Sequence, residues 1–176
     1  HKIVYYALIF ELAGALLLMI RFIPQFGIAE GIWYGIFHSV SAFCNAGFDL
    51  LGRFEPYCSL TSYYDDVLIN IVIMALIIIG GIGFIVWDDI SIHKWKFKKY
   101  MLHTKIVLTM TVLLIVAGSI CFYLFERDNL LVGMDAKGQL LSSVFGSVTP
   151  RTAGFNTTDT ASYSEPTRLL TVILMF

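Results

Sequence analysis

The sequence predicts an all-α membrane protein in which spanning helices alternate with short re-entrant segments, and three observations carry the prediction. Hydrophobic residues make up 57% of the 176-residue chain and charged ones only 14%, a balance foreign to soluble domains of this length. The remaining charge is gathered rather than spread. Lys94, Lys96, Lys98, Lys99 and Lys105 form one basic block, whereas the runs 3–20, 67–87 and 106–125 hold almost no ionisable groups. Finally, Ala46-Gly47-Phe48 returns as Ala153-Gly154-Phe155. Each copy follows a short, moderately apolar run, lies between two long apolar runs and precedes a polar segment.

A hydrocarbon core roughly 30 Å thick needs about 20 helical residues, so the long runs read as spans. The first extends from Ile3 to Ile23 and is expected to end at Pro24, with Tyr5 and Tyr6 at one interface and Arg21 snorkelling at the other. Its awkward residue is Glu11, near mid-membrane, where an ionised carboxylate costs several kcal/mol unless it is paired. Glu11 reads either as a pathway or gating carboxylate or as a hydrogen-bonded contact between helices.

The run Ile32 to Phe43 is too short to span and too apolar for a free loop, which fits a re-entrant half-helix. Trp33, Ile36, Phe37, Val40 and Phe43 share a helical face, with Ser39 and Ser41 on other sides. Such a half-helix would aim its C-terminus, the negative end of its dipole, at the bilayer centre, where it attracts cations. Asn45-Ala46-Gly47-Phe48 is then the return leg. Non-helical backbone at that depth survives only inside protein or along a water-filled cavity. Carbonyls aligned to replace an ion's hydration shell need backbone angles that glycine supplies without steric cost. His38, in an aromatic-rich half-helix, reads as a hydrogen-bonded structural residue rather than a ligand or base.

Residues 49–66 read as an exposed polar loop with Gly52, Pro56 and Ser59 as turn formers. The run Val67 to Trp87 reads as a returning span whose Gly80-Gly81-Ile82-Gly83 ending permits close packing or a bend, with Trp87 at the interface. The basic connector 88–105 marks the cytoplasmic side by the positive-inside rule, which places both Ala-Gly-Phe segments on the outer side. Residues 106–125 cross again, and Leu140 to Val148 is the second half-helix, ended by Pro150 with Thr149 expected to be extended. Arg168 and the apolar tail 169–176 open a further span.

Other features exclude more than they assign. A net charge of −1 with a single basic block against a span offers no face for nucleic acid. Cys44, Cys58 and Cys121 lack metal-ligand spacing, although a Cys44 to Cys58 disulfide is conceivable. Asn156-Thr157-Thr158 matches a glycosylation sequon that a pore mouth would not tolerate. Glu11, His38 and Asp49 are the acid and base groups open to an intramembrane enzyme, yet there are no paired carboxylates, His-x-x-x-His spacing or activated serine, so no enzyme is expected. No cleavable signal is visible. A start at His1 and an end within an apolar run are expected of a fragment.

The order of span, half-helix, loop and span, given twice, resembles the helix–pore loop–helix repeat of potassium channels and their relatives. With one glycine per repeat instead of Thr-Val-Gly-Tyr-Gly, it is most similar to the Trk/Ktr/HKT superfamily of potassium transporters. The phrases that carry this are Phe37-His38-Ser39-Val40-Ser41-Ala42-Phe43 to Asn45-Ala46-Gly47-Phe48, Gly80-Gly81-Ile82-Gly83-Phe84, and Thr149-Pro150-Arg151-Thr152-Ala153-Gly154-Phe155-Asn156. Together they resemble the second and third repeats of the Ktr membrane subunit. The resemblance implies a first repeat at 1–87, the connector at 88–105 and a truncated second repeat at 106–176, two of an expected four. It implies a filter of Asn45, Ala46, Gly47 and Phe48 with Thr152, Ala153, Gly154 and Phe155, potassium as the transported ion with sodium coupling in some relatives, and no cofactor or metal beyond that cation. Its implied partners are the cell-membrane bilayer, the remaining repeats of the parent chain, a second membrane subunit in a homodimer and a cytoplasmic ring of nucleotide-binding regulatory subunits. A non-conducting accessory or structural membrane subunit is the competing reading.

Overall fold

The computed structural model describes residues 2–53, 59–94, 96–151 and 153–175. Among them there are no strands, and the helices are α1 (Lys2–Phe26), α2 (Ile28–Phe43), α3 (Val67–Gly81), α4 (Phe84–His93), α5 (Leu102–Glu126), α6 (Ala136–Val148) and α7 (Glu165–Met175). Helices α1 and α5, each 25 residues long, reach about 38 Å at 1.5 Å per residue and are long and apolar enough to cross a membrane. They present leucine, isoleucine and valine outward, including Leu8, Leu12, Leu16, Val112, Leu113 and Val116.

Helix α1 runs through Pro24 rather than stopping there. A proline near the end of a spanning helix removes one donor that its surroundings can do without, and the ladder resumes with Gly27 N–H on the Ile23 carbonyl at 2.9 Å. Arg21 does not only snorkel. Its Nε lies 2.9 Å from Asp66, the residue that caps α3 by accepting from the N–H groups of Leu68 and Ile69.

Helix α2 starts four residues earlier than its apolar run, and its buried face is not the apolar one. Trp33, Ile36 and Val40 are exposed, while Gly31, Tyr34, Gly35, His38, Ser39 and Ala42 are buried. Lipid is as apolar as leucine, so small and polar residues make the helix contacts and large apolar ones face outward. Gly31 and Gly35 accordingly lie against Ile23 and Met19 of α1.

The run 67–87, expected as one returning span, is broken. Helices α3 and α4 meet at 96°, and α3 at 15 residues covers only about 22 Å, short of a hydrocarbon core. Gly83, at φ 91°, makes the turn. Trp87 lies inside α4, with its indole N–H 3.1 Å from the Ile79 carbonyl and its ring 4.7 Å from that of Phe10. The first six residues of the connector 88–105 belong to α4 and the last four to α5. Asp89 joins these helices by accepting the Met101 N–H at 2.9 Å, where α5 begins.

Helix α3 is the centre of the core, with Ile69, Ile73, Leu76 and Ile77 buried and contacts to α1, α2 and α6. The stretch 49–66 is not simply an exposed loop. Leu51 and Leu60 are buried in that core, and the Leu60 N–H donates to the Asn156 carbonyl at 2.9 Å. Pro56 lies outside the described residues, as does Cys58, and Cys44 is a free thiol. Helix α7 begins before the apolar tail and is held by the fully buried Glu126, whose carboxylate accepts from Ser164 N–H and hydroxyl at 2.9 and 2.8 Å.

Candidate functional site

The short helices α2 and α6 each end in a tight turn that leads into an Ala-Gly-Phe segment. After α2, the N–H groups of Cys44, Asn45 and Ala46 bond back to Val40, Ala42 and Ser41 at 2.9, 3.1 and 2.9 Å. Asn45 then takes φ 50°, which asparagine tolerates better than most residues, and Gly47 takes φ 71°. After α6, Arg151 N–H bonds Val148 and Ala153 N–H bonds Thr149, and Gly154 takes φ 78°. Thr149 is not extended, as the proline after it predicts. It is helical at φ −61°, ψ −35°, and its hydroxyl donates to the Phe155 carbonyl. Thr152 lies outside the described residues.

The two legs meet at their glycines. A methyl group on Gly47 would overlap the Ala153 carbonyl oxygen and lie 2.6 Å from the Gly154 Cα, and one on Gly154 would lie 2.9 Å from the Gly47 Cα. Segments more than 100 residues apart in sequence thus share one backbone surface. A hydroxyl near the end of each short helix pins the far end of its leg: Ser41 donates to the Phe48 carbonyl at 2.7 Å, as Thr149 does to that of Phe155. Phe48 is 70% exposed and Phe155 fully buried, so the two phenylalanines stand in unlike surroundings.

The supporting contacts repeat as well. Ser39 donates to the Glu11 carbonyl at 2.6 Å, and Ser147 to those of Leu114 and Ile115 at 3.2 and 3.1 Å. Each serine hydroxyl fits against a glycine of the spanning helix, Gly14 or Gly118, where a methyl group would stand. These serines were not among the candidates, although the sequence repeats Phe-x-Ser-Val-Ser/Thr at 37–41 and 145–149. His38 is structural: Nδ1 lies 2.8 Å from the Tyr34 carbonyl and Nε2 accepts the Leu50 N–H at 3.4 Å. That arrangement holds a neutral ring with its proton on Nδ1.

Above the glycines opens a cavity of about 930 Å³ whose lining, among the described residues, includes Asp49, Ser59, Gly154, Asn156, Thr158 and Asp159 and no lysine or arginine. The Ser162 hydroxyl and the Ala161 N–H hold the Asp159 carboxyl below the usual carboxylate range, so it is anionic at neutral pH. Thr157 and Thr158 of the sequon are buried, and Asn156 itself is half-buried on the cavity wall. Below the first leg, Glu11 sits half-buried on the inward side of α1 with Oε1 3.9 Å from the Cys44 sulfur. It therefore contacts the end of α2 rather than lipid alone. Glu11, His38 and Asp49 do not form a catalytic set, since both nitrogens of His38 serve backbone groups.

Similar proteins are found along nearly the whole chain. It is 46% identical over 173 residues to the potassium/sodium uptake protein NtpJ of Enterococcus hirae, covering 97% of this chain and 37% of that protein. It is 39% identical over 178 residues to the Ktr system potassium uptake protein B of Vibrio alginolyticus, covering 99% and 38%. With the protein of the same name from Bacillus subtilis, the identity is 42% over 168 residues, covering 94% and 36%. The chain thus spans little more than a third of the length of these curated relatives, which are named for ion uptake and not for an enzymatic activity. The sequence model of the TrkH family, described as cation transport protein, matches residues 1–176, and the chain belongs to that membrane transport family.

Proposed function

We propose that this chain supplies two walls of a four-walled, carbonyl-lined filter through which a Ktr/Trk-type transporter moves potassium across the cell membrane. The observation that carries this reading is the meeting of the two Ala-Gly-Phe legs at Gly47 and Gly154, both left-handed, beneath a vestibule with carboxylates and hydroxyls. An ion leaving water must be offered oxygens in place of its hydration shell. Asn45, Ala46, Gly47, Ala153 and Gly154 offer backbone carbonyls, Thr152 joins them on the family resemblance alone, and Phe48 and Phe155, their carbonyls already held by hydroxyls, close the outer end. Potassium is supported by the names of the relatives, and sodium by one of them. The lysines at 94–105 favour a cytoplasmic connector and outward-facing legs. The family resemblance favours further repeats of the parent chain as the other walls, a second membrane subunit, and a nucleotide-binding regulatory ring beneath.

The deciding experiment is Gly154→Ser in the full-length protein, with potassium and sodium uptake measured in cells lacking other uptake systems. A hydroxymethyl group at φ 78° strains the leg and turns its carbonyls, so preference for potassium over sodium should drop by about tenfold or more, the effect of ~1.4 kcal/mol. Unchanged affinities for both ions overturn the filter reading and favour a non-conducting accessory subunit. Glu11 is proposed as a carboxylate that raises cation occupancy beneath the filter. Glu11→Gln should therefore raise the half-saturating potassium concentration by about threefold to tenfold. If uptake and thermal stability both match the wild type, Glu11 is neither a pathway charge nor a needed contact.

A further inference from the structure

The two pore loops share a left-handed glycine and a hydroxyl tie but differ in charge, and Arg151 is where they differ most. Counted back from each Ala-Gly-Phe, Arg151 occupies the position of Cys44, two residues before the alanine. Counted back from Gly14 and Gly118, against which Ser39 and Ser147 fit, Ile115 occupies the position of Glu11, three residues earlier. In the first repeat a carboxylate on the spanning helix therefore faces a small neutral residue at the end of the half-helix. The second repeat reverses this, with an apolar residue on the spanning helix and a cation on the pore loop.

The guanidinium is placed deep. Arg151 Nη2 donates to the Thr111 carbonyl at 3.1 Å, and Thr111 lies nine residues into α5, about 14 Å along a helix of about 38 Å. A cation at that depth is expensive and marks function unless it is structural alone. Arg151 also stands at the C-terminal end of α6, its own N–H on the Val148 carbonyl at 3.2 Å. That end of a helix carries roughly half a negative charge. A fixed positive charge there offsets it, whereas the matching end of α2 has Glu11 beside it.

Resting on the filter reading above, the geometry points to Arg151 as a positioning residue that sets how strongly the site beneath the filter holds its cation. The α2 side with Glu11 attracts the ion, and the α6 side, neutralised by Arg151, does not. Conduction needs binding strong enough for entry and weak enough for exit. Arg151 tilts that balance toward exit.

The test compares Arg151→Gln with Arg151→Lys in the full-length protein by potassium uptake, normalised to protein in the membrane. Loss of the charge should lower the half-saturating potassium concentration by about tenfold and lower the maximal rate. Lysine, which keeps the charge but loses the guanidinium's hydrogen bond to the Thr111 carbonyl, should restore the half-saturating concentration. Equal changes in both variants, or an unchanged half-saturating concentration in Arg151→Gln, overturn the proposal in favour of a purely structural tie. Should Arg151→Gln not accumulate in the membrane, Ile115→Glu places a carboxylate one helical turn from the carbonyl that Arg151 holds. It neutralises the cation without removing it and should give the same tenfold decrease, and no change there overturns the proposal. Arg151→Gln should leave the potassium-to-sodium preference intact. That separates its outcome from Gly154→Ser, which tests the filter itself through that preference.

Discussion

Alanine at Gly47 should abolish potassium uptake by the full-length protein while alanine at Gly154 leaves a measurable rate. Both glycines sit in the left-handed region, at φ 71° and 78°, so both substitutions carry a similar conformational cost of about 1–2 kcal/mol. What separates them is the neighbour that the new methyl group meets. At Gly154 the nearest atom is the Gly47 Cα at 2.9 Å and the next lies at 3.7 Å, so a shift of about half an ångström away from this one atom relieves the contact. At Gly47 the methyl group overlaps the Ala153 carbonyl oxygen and crowds the Gly154 Cα and carbonyl carbon at 2.6 and 3.0 Å.

All of those atoms are backbone, and none can swing aside as a side chain would. The legs must separate, and overpacking of this kind costs a further 1–3 kcal/mol or so. The carbonyl that moves is one of those proposed to hold the ion. Uptake should accordingly fall on the order of a hundredfold or more for Gly47→Ala and about tenfold for Gly154→Ala. Rates are read against the amount of protein in the membrane. Equal losses, or a larger loss at Gly154, would mean that the contact between the legs does not govern transport.

Much of this architecture was legible because membrane helices announce themselves by length and hydropathy. The long apolar helices α1 and α5, the shorter α2 and α6 and the paired Ala-Gly-Phe segments all follow from runs of apolar residues and one repeated glycine. The face of α2 did not follow, because a helical stripe of Trp33, Ile36 and Val40 signals a core in water and a lipid face in a bilayer. Pro24 misled for a related reason, since neighbouring helices in a membrane satisfy what a proline frees. The serine ties and Arg151 depend on pairings 28 to 40 residues apart. Periodicity along one segment carries no information about those. The repeat Phe-x-Ser-Val-Ser/Thr was the available signal, and its hydroxyls gain meaning only once a spanning helix is packed against them.

Gly80→Ala should destabilise the protein and stop transport, against the usual direction for such a change within a helix. Gly80 lies in α3, where alanine is ordinarily better than glycine by about 1 kcal/mol. Here a methyl group would overlap the carbonyl oxygen of Phe43 and lie 2.9 Å from its carbonyl carbon. Phe43 is the last residue of α2, and its carbonyl opens the turn through Cys44 and Asn45 into the first leg. The overlap is again with backbone, so α3 and the end of α2 must separate by about an ångström, at a cost of 1–3 kcal/mol or so that exceeds the gain in propensity. The displaced turn carries Gly47 away from Gly154. Gly81→Ala is the matched control, because its methyl group would meet only the amide nitrogen of the Asn45 side chain at 3.3 Å, which can rotate. Thermal unfolding of the purified protein should place Gly80→Ala below the wild type and Gly81→Ala at or above it, with uptake lost in the first and kept in the second. A Gly80→Ala protein as stable and as active as the wild type would show that α3 does not brace the first leg, and the fixed position of Gly47 would then need another support.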